Sequence, residues 1–277
     1  MKKHQIITIL LLFIFVFSCK EKSEKTKLSE QVENLDPKVN LTELETDFMK
    51  WWTYHSKNIT LSSNFTGLNE KSDTIEKKQF LEKLITSNYI PIKLKSNERL
   101  ETYKLFELDS FANKSIGSTI KNKSLLALKH FKMESTEFPK FNFTDLNDND
   151  YNNKNTKGKI IVLKTWFINC VACVKEFPEL NELVEKYKNR NDIIFLSLAL
   201  DSKLELDEFL QKKFFEYKVV SNQREFIVKT LNLQIYPTHI IIDKNGIIQK
   251  VVNKASEMIP FFESKMKLTE NVPPPPM

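Results

Sequence analysis

The feature that most constrains the fold of this chain is a pair of cysteines, Cys170 and Cys173, between a strand pattern and a helix pattern. The apolar run at residues 160–163 has the composition of a buried strand. Beyond the pair, apolar side chains recur at helical spacing, which predicts one apolar helix face over about four turns. These side chains are those of Val174, Phe177, Leu180, Leu183, Val184 and Tyr187. The cysteines are therefore predicted to lie where a strand passes into a helix.

The second half of the chain continues this alternation of strand and helix patterns. Further strands are predicted at residues 193–200, 217–220, 238–242 and 247–252, and further helices at residues 204–214, 224–231 and 255–266. Strand, helix, strand and helix in succession favour parallel pairing through right-handed crossovers. Asn245-Gly246 between the last two strands predicts a hairpin. We therefore predict an α/β domain at residues 135–270.

The part of the chain before residue 135 has a different pattern. A helix is predicted at residues 75–86 and strands at residues 89–94 and 103–108, which together indicate a small α+β domain of unknown role at residues 36–134. Its aromatic residues Trp51, Trp52 and Tyr54 are more typical of a core than of an interface. The Asn- and Asp-rich run at residues 147–157 suits a loop that leads into the second domain.

The N-terminus carries the pattern of a targeting segment. Lys2 and Lys3 precede an apolar run at residues 6–17, which is too short to span a bilayer. Ser18-Cys19 follows and resembles the lipobox of bacterial lipoproteins, although Phe17 stands where that pattern usually has a small residue. An ordinary secretory signal peptide is the alternative.

These features predict a lipoprotein signal peptide at residues 1–18 and lipidation at Cys19. The charged run that follows predicts a flexible tether at residues 19–35. The protein is then expected to be lipid-anchored on the periplasmic side of a bacterial cell envelope, at either the inner or the outer membrane. A solvated, proline-rich tail is predicted at residues 271–277.

The small number of cysteines favours a redox role for them over structural cross-linking. The chain has 3 cysteines, and lipidation of Cys19 would leave only Cys170 and Cys173. A disulfide between these two closes a very short loop and constrains the unfolded chain little. Unpaired amides and the helix dipole at a helix start favour a thiolate. Cys170 is therefore the predicted nucleophile, and Cys173 is the predicted resolving thiol of a redox-active disulfide.

A zinc site and a pair of inert structural cysteines are the alternatives for this pair. Zinc requires four ligands. The histidines of the mature chain, His55, His130 and His239, are far apart and lack the spacing of a zinc finger. Inert cysteines are less typical of an adjacent pair at a strand-to-helix junction. Dithiol exchange needs neither a metal nor an organic cofactor, so none is predicted.

The distribution of charge argues against a nucleic-acid partner. Lys and Arg total 42 and Asp and Glu total 36, which gives a formal net charge of +6, and the basic residues are interspersed with acidic ones. Hydrophobic residues make up 41% of the chain, enough to fill a core. The composition thus indicates a folded protein that binds partners other than DNA or RNA.

Several motifs of the second half belong together. Residues 159–166 run into Cys170-Val171-Ala172-Cys173, Pro178 follows, and Tyr236-Pro237-Thr238 lies further along the chain. Together they resemble the thioredoxin superfamily, and in particular its TlpA-like disulfide reductases, from about residue 138 to the end. The resemblance implies a thioredoxin-like fold, with a mixed central sheet flanked by helices, and a thiol-disulfide oxidoreductase activity.

The resemblance also implies roles for single residues. Pro237 would face the dithiol and follow a cis peptide bond, a state that about 5–6% of X-Pro bonds adopt in folded proteins. Pro178 would kink the helix. Glu176 matches an acidic residue that TlpA-like reductases place beneath the dithiol, where it could move protons or keep the cysteine pKa values high. A solvated helix glutamate is the alternative for Glu176.

Two positions depart from the pattern of many thioredoxins. Lys164 stands where they carry a buried acid, and Asn169 stands where they carry a tryptophan. A Lys164 that reached the site would favour the thiolate, but we expect its ammonium to extend to solvent. His239 follows the Pro237 motif and could titrate near the site. We expect it to be a strand residue without a catalytic task.

The function expected from these features is reduction of disulfides in exported proteins by a membrane-anchored oxidoreductase. Its partners would be protein thiols and disulfides, an upstream thiol protein that donates electrons, and the membrane. A thiol peroxidase is one alternative, but Pro-x-x-x-Thr-x-x does not precede Cys170. The other alternative is a binding protein whose first domain captures a partner through Trp51, Trp52 and Tyr54, with a secondary role for the dithiol.

Overall fold

The computed structural model describes residues 35–96 and 100–270, with side chains described to residue 267. The predicted signal peptide at residues 1–18, Cys19, the tether except for Leu35, and the tail at residues 271–277 lie outside the described residues. Two compact units divide between Ser124 and Leu125, within a helix at Lys114–Met133. The division predicted after residue 134 falls at the end of this helix. Within the described residues, no helix is both long and apolar enough to cross a bilayer.

The first unit is built on a mixed sheet of four strands with helices. Its elements are α1 (Leu41–Thr46), α2 (Phe48–Asn58), β1 (Phe65–Leu68), β2 (Thr74–Ile75), α3 (Lys77–Ile85), β3 (Tyr89–Leu94), β4 (Glu101–Glu107) and the start of α4 (Lys114–Met133). The strand order is β2-β1-β4-β3, in which β1 and β4 pair in parallel and the other pairs are antiparallel. Trp51 and Tyr54 are buried in this unit, whereas Trp52 is 38% exposed.

The second unit is built on a mixed sheet of five strands. Its elements after α4 are β5 (Asn142–Thr144), β6 (Asp150–Asn152), β7 (Ile160–Trp166), α5 (Val171–Lys175), α6 (Phe177–Lys186), β8 (Ile193–Ala199), α7 (Lys203–Leu210), β9 (Lys218–Val220), a π-helical turn (Phe226–Thr230), β10 (Thr238–Ile242), β11 (Ile248–Val252) and α8 (Ala255–Glu270). The order is β11-β10-β7-β8-β9. Strands β7, β8 and β9 are parallel, and β10 runs antiparallel to both of its neighbours. This is the mixed sheet flanked by helices that the motifs implied.

Strand β7 lies in the middle of this sheet and is buried on both faces. All seven of its residues are buried. Because successive side chains of a strand point to opposite faces, Ile161 and Leu163 join one apolar cluster and Ile160 and Val162 join another, which includes residues of α6 and α8. The dithiol segment follows directly from the end of this strand. Its position is therefore set by the central strand of the sheet, which is buried along its whole length.

The structure corrects the prediction of one long helix after the cysteines. Two helices, α5 and α6, meet at Glu176, which follows the last residue of α5 and precedes the first residue of α6. Pro178 lies in the first turn of α6 and not inside a kinked helix. A proline is well tolerated there, because its missing N–H would have no partner within the helix.

The loop predicted at residues 147–157 is also only partly correct, because β5 and β6 form a short antiparallel hairpin. The Asp145 carboxylate accepts hydrogen bonds from the backbone amides of Asn147 and Asn149, both at 2.9 Å. The Asp145 side chain thus stabilises the turn between the two strands, which explains why this polar segment forms a tight connection. The predicted hairpin of β10 and β11 is confirmed, with Gly246 at a φ of 84° in its turn.

Candidate redox site

Cys170 and Cys173 form a disulfide at the start of α5, with a Cα–Cα distance of 5.2 Å. Cys170 is the N-cap residue of that helix, and its Sγ accepts a hydrogen bond from the Cys173 amide at 3.2 Å. Cys170 is 8% exposed and Cys173 is fully buried, while Val171 between them is 81% exposed. A partner that approaches the dithiol therefore has access to Cys170 and not to Cys173.

Aromatic side chains enclose the buried sulfur of the pair. Trp166, Phe177 and both cysteines belong to one buried cluster. The Phe177 and Phe215 rings stack with centroids 3.9 Å apart, and Trp166 meets Phe177 edge to face at 5.1 Å. Trp166 Nε1 donates a hydrogen bond to Ser197 Oγ at 3.2 Å, so its polar atom is satisfied. Apolar surroundings of this kind favour a neutral thiol over a thiolate at the inner cysteine.

Glu176 lies at the junction of α5 and α6 and accepts hydrogen bonds from three directions. Its Oε2 is 2.5 Å from Lys164 Nζ and 3.0 Å from His239 Nε2, and its Oε1 is 2.9 Å from the amide of Ala255. Burial alone would raise the pKa of Glu176. The interactions with His239 and Lys164 outweigh burial and lower this pKa to about 2. Glu176 is therefore a carboxylate throughout the neutral pH range.

Lys164 and His239 are both fully buried and are paired across β7 and β10. Burial is the main cause that lowers the pKa of each below its ordinary value, although Glu176 opposes this shift in both. A neutral His239 then donates its Nε2 proton to Glu176. Its Nδ1 is buried and has no hydrogen-bond partner among residues 35–96 and 100–270.

One expectation and one alternative about these side chains need correction, and one contact was not predicted. The prediction that Lys164 extends to solvent is wrong, because it lies in a central strand whose two faces are covered. The alternative of a solvated Glu176 is also wrong, since its side chain is only 13% exposed. His239 does lie in a strand, as expected, but its contact with Glu176 was missed. A lysine inside an otherwise apolar strand was the available sequence signal for this buried cluster.

Pro237 follows a cis peptide bond after Tyr236, as the motif implied. Its carbonyl accepts a hydrogen bond from Asn253 Nδ2 at 2.8 Å. The Tyr236 ring meets the Phe167 ring edge to face at 5.5 Å, and both rings pack against the cluster that contains the cysteines. The structure thus brings the Tyr236-Pro237 segment alongside the segment that leads to Cys170. Asn169, just before Cys170, is exposed.

Metal ligands do not cluster in the part of the chain that the structure describes. No group of three or more His, Cys, Asp or Glu side chains there is arranged to hold a metal ion. The sulfurs of Cys170 and Cys173 and the charged cluster at Glu176 are the reactive and titratable groups of this site.

A known protein family and several known proteins are similar to this chain, and the family model matches within the second unit. A model of the AhpC/TSA family matches residues 135–251. The thiol-disulfide oxidoreductase ResA of Bacillus thuringiensis subsp. konkukian is 34% identical over 125 residues, which cover 44% of this chain and 72% of the relative. ResA of Bacillus cereus is 30% identical over 122 residues, 44% of this chain and 70% of the relative.

The chain belongs to the TlpA-like thiol-disulfide oxidoreductases of the thioredoxin superfamily. The predicted family and the predicted enzyme class are thereby confirmed. Among solved structures, the thioredoxin domain of a thiol-disulfide oxidoreductase from Bacteroides vulgatus aligns with a TM-score of 0.43 at 18% identity, covering 48% of this chain and 96% of that one. A thiol-disulfide oxidoreductase from Bacteroides fragilis aligns with a TM-score of 0.43 at 15% identity, covering 47% and 99%.

Proposed function

We propose that this oxidoreductase reduces disulfides of exported proteins by dithiol exchange through Cys170 and Cys173, while a lipid on Cys19 holds it at the membrane. The observation that supports dithiol exchange is the asymmetry of the pair. Both sulfurs lie at the start of one helix and within bonding distance, yet only Cys170 is accessible. Attack by one thiol and resolution by a protected second thiol require this arrangement.

The exchange begins with the reduced protein, in which Cys170 is a thiolate and Cys173 is a thiol. The Cys170 sulfur attacks one sulfur of the client disulfide, so that a mixed disulfide forms, the client bond breaks, and the second client sulfur leaves as a thiolate. That thiolate takes the proton of Cys173. The Cys173 sulfur then attacks Cys170, which forms the internal disulfide and releases the first client sulfur as a thiolate. Two electrons have passed to the client.

Glu176 serves this reaction as a fixed negative charge. The resemblance to TlpA-like reductases leaves two roles open for Glu176, which are proton transfer and raising the cysteine pKa values. A carboxylate that already accepts from Lys164, His239 and the Ala255 amide is a weak base, which favours the second role. A negative charge one helical turn from Cys173 disfavours a second thiolate there. Cys173 then stays protonated until the mixed disulfide has formed.

The direction of electron flow is proposed to be toward the client. Val171 and Ala172 carry no charge that would stabilise the reduced form strongly, so a strongly oxidising dithiol is not expected. After each cycle the internal disulfide must be reduced again. An upstream thiol protein would supply these two electrons by the same exchange at Cys170.

Replacing Cys173 with serine is expected to trap clients on Cys170. The mixed disulfide should persist because a hydroxyl does not displace the client sulfur. Cells that express the variant should show adducts on non-reducing gels that dithiothreitol removes, and sequencing of these adducts identifies the clients. The matched control is the double variant with Cys170→Ser, which should show none. Equal adducts in both variants would exclude Cys170 as the attacking residue.

Replacing Cys19 with alanine is expected to release the protein from the membrane. Several acyl chains, each methylene contributing about 0.8 kcal/mol of membrane affinity, would anchor the wild-type protein durably. The wild-type protein should sediment with membranes and the variant should appear in the soluble periplasmic fraction. Cys170→Ser provides the matched control, because it removes a cysteine without affecting the anchor. A variant that carries the same acyl mass as the wild-type protein would contradict lipidation at Cys19.

A further inference from the structure

A buried lysine in the middle of a central strand requires a specific reason. The Lys164 side chain is fully buried, and its hydrogen-bond partner is Glu176. An ammonium without a counter-charge in such a place is strongly unfavourable, so Lys164 and the Glu176 carboxylate depend on each other. An apolar residue would fill this position of β7 at lower cost. The presence of a cation therefore points to a task at Glu176.

The Glu176 carboxylate is held by groups from three elements. Lys164 belongs to β7, His239 to β10, and the Ala255 amide is the first of α8. Glu176 lies three residues after Cys173, directly after the last residue of α5 and still in helical backbone conformation. The inner sulfur of the dithiol and this carboxylate are thus linked by a single turn of backbone.

Two further titratable groups face the carboxylate, and neither supplies positive charge. Glu179 on α6 has a raised pKa because of its burial and its proximity to Glu176. Tyr217 is fully buried, which raises the pKa of its phenol, and Glu176 adds to this shift. Burial keeps His239 neutral, so that it acts as a hydrogen-bond donor. His239 and Lys164 together keep the Glu176 carboxyl ionised, and Lys164 is the partner whose contribution can be removed while the His239 hydrogen bond stays in place.

We propose that Lys164 is a positioning residue for dithiol exchange, which holds Glu176 charged and fixed so that Cys173 reacts beside a constant charge pair and not beside a titrating acid. This inference rests on the proposed exchange through Cys170 and Cys173. It has a direct consequence for the pH dependence of the reaction. The rate of disulfide reduction should follow the ionisation of the Cys170 thiol alone. The pH profile should show no second ionisation from the Glu176 carboxyl.

The test is the pH profile of the rate at which the reduced full-length protein reduces bis(2-hydroxyethyl) disulfide, a probe that has no titrating group in this pH range. The wild-type profile should show a single ionisation. Lys164→Met should add a second one above about pH 5, because a buried carboxyl without its cation has a raised pKa and titrates as a coupled pair with His239. Lys164→Arg, which keeps the charge, should restore the single ionisation. Lys250→Met, which removes a buried lysine paired with Glu134 at 3.0 Å, should leave the profile unchanged.

A second measurement covers the case in which Lys164→Met does not fold. The 13C resonance of the Glu176 carboxyl in the wild-type protein should show no titration above about pH 4. Three results would each overturn the inference and leave dithiol exchange intact. They are titration of this resonance between pH 4 and 7, two ionisations in the wild-type pH profile of the rate, and an unchanged pH profile for a folded Lys164→Met protein. Failure of the wild-type protein to reduce the probe at any pH would overturn the exchange itself.

Discussion

Replacing Cys170 with serine is expected to lower disulfide reduction to the rate of the buffer alone. The variant lacks the only accessible sulfur of the pair, and the buried Cys173 cannot reach a client. The measurement is the turbidity that develops when insulin is reduced by dithiothreitol with and without the full-length protein. Because the reaction begins with the thiolate, no other residue of the site can replace this function.

Cys19→Ser is the matched control for this experiment, since it also exchanges a cysteine for a serine but outside the dithiol. It should retain the wild-type rate of insulin reduction when both proteins are assayed in detergent. Substantial activity of the Cys170→Ser protein would mean that Cys173 or another group attacks the client. In that case the assignment of attacking and resolving thiols would be wrong.

Glu176→Gln is expected to cause a large loss in the free energy of unfolding. It leaves the Lys164 ammonium buried without a counter-charge, and breaking a buried pair in this way costs about 3–5 kcal/mol. The measurement is the free energy of unfolding from urea denaturation of the oxidised protein, compared with the wild type at pH 7. A loss below 1 kcal/mol would contradict the interpretation that the two buried charges depend on each other.

This loss should become smaller as the pH rises. Burial already lowers the pKa of Lys164 below its value in the unfolded chain, and removal of the carboxylate should lower it further. The unfolded state then binds more protons than the folded state, so the stability of the variant rises with pH relative to the wild type. Glu225→Gln is the matched control, because its exposed pair with Lys229 should contribute almost nothing.

The sequence was sufficient to predict the sheet of the second unit and the position of the dithiol. The apolar runs at β7, β8 and β10 correspond to strands with buried faces, because only a covered sheet accommodates uninterrupted apolar residues. Asn245-Gly246 predicted the hairpin of β10 and β11 because few other residues adopt the backbone geometry of that turn.

The charged cluster could not be predicted in the same way, because its members come from distant parts of the sequence. Lys164 and His239 meet only through the register of β7 and β10, and their common partner Glu176 reaches them only because α5 ends after five residues. Local helix and strand propensities do not predict a contact between residues so far apart in the sequence. The break before Pro178 was likewise hidden, since apolar spacing continues across it and only the backbone reveals two helices.

The disulfide joins residues separated by only 3 positions. A cross-link across a 15-residue loop removes about 3 kcal/mol of conformational freedom from the unfolded chain, and one this short removes less. Opening and closing the bond therefore changes the folding equilibrium little. What difference in folding stability there is between the two redox states comes from local contacts at the sulfurs, and by linkage the same contacts set the reduction potential.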